Sequence, residues 1–484
     1  MTHDSDVLAA TMMNDGVTAF RTSVRGAPRG PLCGMGVCFE CRTTVDDSPH
    51  QRSCLFVRHE RVAEREHGDL LEVQVAVVGA GPAGIAAAYR AAQEGKLVAL
   101  LDSAAEPGGQ IWRHRTGAPS TSYPDVHGWV ARAAHPNVKI IRGAEVVDAP
   151  APGELTVAAV GATLRVRANA IVLATGAREL FLPFPGWTLP NVLGAGGLQA
   201  LAKNGFDVRG QRVVLAGSGP LLFPVAAYLA GHGARLRTVA EQASPEVVRA
   251  FARSLWRDPS RLRQAVNFRA MFWRARYRTG CWVARADGDD RVREVTLTDG
   301  VRSWREPCDL LACGFGLVPN VEVAQLLGAP LSPAGIEVNG RQETRIAGVF
   351  AAGECTGIGG APLAIAEGEI AGLAAAGARV IPPALVDRRE WERATAARVE
   401  RAFALRSELR ALAAPDTIVC RCEDVPHAAI AACGSAREAK LRTRAGMGAC
   451  QGRVCGAAMR FLHGWDPPEP RVPAFPVPVD ALAK

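Results

Sequence analysis

Eight of the chain's thirteen cysteines fall into two compact sets, one near each end, and no other feature narrows the possible folds so far. The first set is Cys33, Cys38, Cys41 and Cys54, spaced C-x4-C-x2-C with a more distant fourth. The second is Cys420, Cys422, Cys450 and Cys455. The first spacing lets a loop fold its thiolates around one 2Fe–2S cluster while a later cysteine closes the site. Zinc is the competing ligand, but zinc knuckles favour paired CxxC units, and only Cys38 and Cys41 make one. The run from Pro31 to Cys41 carries Gly34 and Gly36 where a loop must curl tightly around inorganic sulfide. Cys281, Cys308, Cys313, Cys355 and Cys433 lie outside both spacings and read as small core residues.

Composition limits the setting. A chain of 484 residues has room for roughly three or four domains. There is no leading apolar segment with a positive flank, so no signal peptide is expected. A reducing cytoplasm would keep the thiols available for metal, which makes the expected location cytoplasmic, or peripheral to the membrane through a complex. The net charge of +8 comes from scattered arginines with no basic block, which argues against a nucleic-acid partner. The uncharged apolar stretch 213–234 contains Gly217, Gly219, Pro220 and Pro224 and reads as strand, turn and helix, so no membrane span is expected.

Between the cysteine sets the pattern is α/β. A strand over 71–78 leads into Gly79-Ala80-Gly81-Pro82-Ala83-Gly84, an Ala-rich helix follows over Pro82–Gln93, and a second strand, Val98–Leu101, ends at Asp102. That context gives GxGxxG its meaning. Gly79 permits the turn, Gly81 lets the backbone approach a pyrophosphate, and Gly84 lets helix and strand close up. The helix N-terminus supplies amides to the phosphates, and Asp102 stands where an acid accepts hydrogen bonds from a ribose. Later segments point to FAD. These are the apolar run 171–176, ending Ala174-Thr175-Gly176, the loop Gly108-Gly109-Gln110, and Gly348-Val349-Phe350-Ala351-Ala352-Gly353-Glu354. The last resembles the second flavin motif of two-dinucleotide flavoprotein reductases. The resemblance implies that Glu354, Asp in most of that family, touches the ribityl chain.

A second glycine turn is damaged. In Gly217-Ser218-Gly219-Pro220-Leu221-Leu222 the third glycine position is Leu222, expected to push the helix off its strand. Glu241 sits at a plausible strand end and could hold a ribose hydroxyl. An adenine nucleotide is therefore a possible second ligand, with efficient nicotinamide turnover not expected. No CxxC or CxxxxC pair accompanies the flavin motifs, which argues against a disulfide reductase.

The expected organisation is a 2Fe–2S domain over 1–68 and a flavin body over 69–385. FAD-binding parts occupy 69–190 and 335–385, and a degenerate NAD-type domain is inserted at 191–334. A helical linker (386–414), a C-terminal 2Fe–2S domain (415–465) and a Pro-rich tail (466–484) follow. The N-terminal domain resembles a trimmed plant-type ferredoxin. It lacks the hairpin that normally precedes the first helix, so it either starts late or leans on a neighbour. Cys420-Arg421-Cys422-Glu423 and the run from Arg444 to Cys455 resemble the bacterioferritin-associated-ferredoxin type of 2Fe–2S domain. Taken together, with Gly353-Glu354-Cys355-Thr356-Gly357-Ile358-Gly359-Gly360, the chain resembles the alpha subunits of heteromeric amino-acid and opine dehydrogenases. That group includes opine oxidase, D-hydroxyproline dehydrogenase and hydrogen cyanide synthase, with sarcosine oxidase alpha as a more distant relative. The resemblance implies FAD, two 2Fe–2S clusters and a D-amino-acid-oxidase-like flavoprotein beta subunit that oxidises an amino acid, imino acid or opine. This chain would then relay electrons to an acceptor that the sequence does not name. The alternatives are a self-contained NAD(P)H-dependent reductase and a mainly structural subunit.

Overall fold

The computed structural model describes residues 6–45, 48–57, 69–113, 126–159, 162–477 and 479. Its contacts divide the chain into two units, with breaks at 178/179 and 317/318. The expected boundary at 68 lies outside the described residues.

One unit takes residues 59–178, 318–397 and 469–484. The strand Asp69–Val78 is buried on both faces from Val75 onward, as a central parallel strand with covered faces must be. Its sheet runs in the order Val138–Ile141, Val98–Leu101, Asp69–Val78, Ala162–Leu173, Glu154–Ala159, Glu145–Ala151, and Val349–Ala351 joins Ala162–Leu173 in parallel. The helix Pro82–Gln93 has proline at its first position, where the missing N–H costs nothing, and an alanine-rich body. It packs against the helix Ala361–Ala375 through two glycines one turn apart. A Cβ on Gly368 would lie 2.2 Å from the Ala83 carbonyl oxygen, and one on Gly372 would lie 2.3 Å from that of Ala87. Only glycine allows two backbones so close.

The other unit takes residues 1–58, 179–317 and 398–468. Its five-stranded parallel sheet has the order Val192–Gly194, Leu310–Gly314, Arg212–Gly217, Arg235–Glu241, Arg276–Thr279, beside an antiparallel meander of Trp282–Asp287, Glu294–Thr298 and Ser303–Pro307. The stretch 213–234 is the strand Arg212–Gly217 and the helix Leu222–Gly231, and no helix among the described residues is long and apolar enough to cross a membrane. The N-terminal helix Leu8–Asn14 is hydrogen-bonded near both ends. The Val7 amide donates to the Asn204 carbonyl at 3.1 Å, and Asn14 Nδ2 donates to that of Gly205 at 2.8 Å. Both acceptors follow the helix Ala195–Lys203. The C-terminal part is the small strand pair Ile418–Cys420 and Val425–Pro426 with helices Ala436–Thr443 and Cys455–His463. One apolar cluster gathers Leu32, Cys33, Cys38 and Phe39 with Phe184 and Trp187, and with Cys450 and Val454. Both cysteine sets thus border the same core.

Candidate flavin and iron–sulfur sites

The flavin motifs converge within their unit. A Cβ on Gly84 would sit 1.7 Å from the Gly79 carbonyl oxygen, so helix and strand approach as closely as the motif requires. Gly81 differs: a Cβ there would meet nothing nearer than the Gly109 Cα at 3.9 Å. The turn is therefore open where a pyrophosphate would lie. The Gly108-Gly109 loop runs against it, with the Gly108 amide donating to the Ala80 carbonyl at 2.8 Å, and Gln110 stands exposed beside it. Asp102 accepts from the amides of Ala80 at 2.5 Å and Ala104 at 2.7 Å. Burial holds its carboxyl above the usual carboxylate range despite those bonds.

The remaining flavin residues come from distant sequence. Thr175 Oγ1 donates to the Asn320 carbonyl at 2.6 Å, and Asn320 Nδ2 returns a bond to the Thr175 carbonyl at 2.9 Å. This pair fixes the strand end at Gly176. A Cβ on Gly353 would be 2.7 Å from that of Ala83, so the second motif seats on the first turn of the first helix. Glu354 accepts from the Gly360 amide at 3.3 Å, and burial raises its carboxyl. Its longer arm reaches the start of Ala361–Ala375. The sequence reading missed Glu367. Buried in that apolar helix, its carboxylate accepts from the Gly353 amide at 2.9 Å, from Thr356 Oγ1 at 3.0 Å and from Arg393 Nη2 at 2.8 Å. An acid on an otherwise apolar helix face was the available signal. These residues fit FAD: an open glycine turn, a helix N-terminus and an acid at the second strand end.

The second turn is closed. The helix begins at Leu222, five residues past Gly217, whereas the first begins three past Gly79. Leu222 is buried, and its side chain lies against Gly314. Residues 403–406 lie over the turn. Ser218 Oγ donates to the Phe403 carbonyl at 2.8 Å, and the fully buried Gln242 donates to Ser218 Oγ at 2.9 Å and to the Ala404 carbonyl at 3.2 Å. A Cβ on Gly219 would be 3.6 Å from that of Phe403. Glu241 is turned inward, accepting from the amides of Gly219 at 2.7 Å and Ala243 at 2.8 Å. Burial pushes its carboxyl up to about 7 against those bonds.

The two cysteine sets share a pairwise arrangement. Cys33 is hydrogen-bonded to Cys38, Cys41 to Cys54 and Cys420 to Cys455, and Cys422 Sγ lies 3.5 Å from Cys450 Sγ. No group of three or more His, Cys, Asp or Glu among the described residues is arranged to hold a single ion. Sulfurs in twos suit a two-iron cluster, in which each iron takes two thiolates, better than one tetrahedral zinc. Gly34 holds φ near +60°, and a Cβ there would be 2.6 Å from the Gly197 carbonyl oxygen, so the first loop presses on the helix Ala195–Lys203. Burial pushes the Cys33 thiol up, but bonds from Cys38 and from the Met35, Cys38 and Val37 amides outweigh it and hold it below the ordinary thiol value. The five other cysteines are buried, and all thirteen are free of disulfides.

Residues 73–368 match the family model described as pyridine nucleotide-disulphide oxidoreductase, and residues 2–64 match a 2Fe-2S iron-sulfur cluster binding domain. The chain is 30% identical to hydrogen cyanide synthase subunit HcnB of Pseudomonas aeruginosa, over 85% of this chain and 98% of that protein. It is 32% identical to an opine oxidase subunit of Rhizobium meliloti, over 80% and 91%. The crystal structure of L-proline dehydrogenase from P. horikoshii superposes with a TM-score of 0.72 at 18% identity, covering 100% of this chain and 95% of that one, which establishes the shared fold. The flavin body implies FAD and the N-terminal domain a 2Fe–2S cluster. The chain belongs to the pyridine nucleotide-disulphide oxidoreductase family, carries an N-terminal 2Fe-2S cluster binding domain, and is a relative of the hydrogen cyanide synthase and opine oxidase subunits.

Proposed function

We propose that this chain is the electron-relaying subunit of a heteromeric dehydrogenase. A partner flavoprotein, D-amino-acid-oxidase-like, would oxidise the C–N bond of an amino acid, imino acid or opine, and this chain would pass the electrons to an acceptor. The observation that carries the reading is the closed second turn, where residues 403–406 cover the place a nicotinamide dinucleotide would cross. That cover supports a donor other than a nicotinamide dinucleotide, and another protein is the donor this reading takes. Relatives named as subunits of larger enzymes support a partner.

When bound, FAD and the iron–sulfur centres supply one- and two-electron chemistry, while the protein sets position and potential. Gly79, Gly81 and Gly84 would admit the pyrophosphate. Asp102 would accept from the ribose and Glu354 from the ribityl chain, and Glu367 ties Gly353 to Thr356. Cys33, Cys38, Cys41 and Cys54 would hold the first centre, and Cys420, Cys422, Cys450 and Cys455 a second. A self-contained NAD(P)H reductase would need Phe403 displaced, and a mainly structural subunit would show a flavin that does not turn over.

Co-expression with a D-amino-acid-oxidase-like subunit tests the proposal. Amine-dependent dye reduction should appear only with both chains present. Brisk dye reduction by the lone chain with NADH would favour the reductase.

A further inference from the structure

Each cysteine set carries one charged residue inside its own loop, and the fold brings the two together. Glu40 lies between Cys38 and Cys41; Arg421 lies between Cys420 and Cys422. Their side chains, 1% and 2% exposed, approach to 3.5 Å. Arg21 completes the bridge, with Nη2 donating to Glu40 Oε1 at 2.8 Å and to the Arg421 carbonyl at 3.1 Å. Beside it, Arg29 Nη2 donates to Asp424 Oδ1 at 2.6 Å, and Asp424 Oδ2 accepts from the Arg25 amide at 3.0 Å. Arg421 also donates to the Trp187 carbonyl at 2.9 Å and stacks on the Trp187 ring, its guanidinium carbon 5.0 Å from the ring centre.

Burying ion pairs this deeply seldom adds net stability, because taking each charge out of water offsets the attraction. The network spends three arginines and two acids where apolar residues would pack at least as well. What it provides instead is charge at a chosen place. The Glu40 carboxylate is within electrostatic reach of Cys38 in one set and Cys422 in the other. Arg21 in turn feels Cys422. Each one-electron reduction adds negative charge to an iron–sulfur centre, so fixed neighbouring charges and burial set its potential. A charge shared between two centres, in a site screened little by salt, acts on both.

We propose that the Arg21–Glu40–Arg421 bridge is an electrostatic coupler between the two cysteine-bound centres, with Glu40 and Arg421 as positioning residues that set both potentials together. The proposal rests on the reading that the C-terminal set holds a second cluster. Removing the Glu40 charge favours the reduced form on both sides, and removing the Arg421 charge disfavours it on both.

The test is a potentiometric titration of the purified holoprotein, followed by electron paramagnetic resonance, for wild type, Glu40→Gln, Arg421→Met and Arg421→Lys. Glu40→Gln is expected to raise both midpoint potentials and Arg421→Met to lower both, with Arg421→Lys close to wild type because the charge survives. Limited proteolysis of each variant reports whether the C-terminal domain stays seated. Two signals of which only one moves, or neither, overturn the coupling while leaving the two-centre reading intact. A C-terminal domain released by protease in Glu40→Gln with both potentials unchanged marks a clamp alone and also overturns it. A single signal in the wild type overturns the proposal and the two-centre reading together.

Discussion

Ser218 and Phe403, 185 residues apart in sequence, meet at 2.8 Å where the hydroxyl of one donates to the carbonyl of the other. The glycine turn that Ser218 belongs to has its backbone partners supplied by the chain itself. Mixed anaerobically with excess NADH, the isolated flavoprotein is expected to keep its oxidised visible spectrum. Bleaching of the flavin band in a stopped-flow trace would mean that 403–406 yields readily to a dinucleotide.

Gly81 and Gly84 are expected to fail differently when enlarged. Gly81 has extended backbone geometry and free space, so Gly81→Val should leave the apoprotein within about 1 kcal/mol of wild type while abolishing flavin binding. Gly84→Val puts a side chain into the Gly79 carbonyl and should cost more than about 4 kcal/mol, an amount that prevents accumulation of folded protein. Denaturant melts and the flavin-to-protein ratio separate the two. Full flavin occupancy in Gly81→Val would remove this turn as the pyrophosphate site.

Cys38→Ser and Cys450→Ser should each erase one of two paramagnetic signals from the reduced protein and about half of the bound iron, since each cysteine set holds its own pairs of sulfurs. Loss of both signals from either change would argue for a single shared site.

Glu367 should prove more costly to remove than its distance from any glycine motif suggests. Glu367→Ala leaves the Gly353 amide, Thr356 and Arg393 without their common acceptor, and a loss of about 3 kcal/mol is expected. Thermal melts of apo- and flavin-loaded protein would show the loss in both, with flavin retention falling as well. A variant as stable as wild type would mean that those donors find other partners.

Stability should fall as pH rises toward neutrality on account of Glu241. Its carboxyl is pushed up to about 7 by burial from an ordinary 4.5, so the folded chain holds a proton that the unfolded chain has released. The folded state is therefore favoured below about pH 4.5, and that advantage is lost as pH climbs to about 7. Glu241→Gln has no charge to bury. Urea unfolding at pH 5 and pH 8 should show the variant gaining on wild type at the higher pH, and a pH-independent difference would contradict the assignment.

Much of this was legible in the residues themselves. The helix Pro82–Gln93 and the strand Val98–Leu101 lie where proline, alanine and the closing Asp102 placed them, because local propensity and packing agree there. The N-terminal cysteine spacing was legible for a similar reason, since a loop that wraps a 2Fe–2S cluster is largely a local property, and residues 2–64 match such a domain. The roles of Glu367, Glu40 and Arg421 were not legible. Each depends on partners tens to hundreds of residues away, and a charged residue in a short window reads as surface. Leu222 was readable as a departure but not in its outcome, since its accommodation depends on the late helix start and on Gly314.

The backbone that covers the second turn continues directly into the C-terminal cysteine domain. After Phe403 comes the short helical turn Ser407–Ala411, pinned by the buried Leu409, and then Ile418, whose carbonyl accepts from Trp187 Nε1. The stretch that closes the turn and the stretch that seats the C-terminal cysteine set are thus one continuous run of chain, fastened at Phe403, Leu409 and Ile418, so that a change at one fastening is felt by the next.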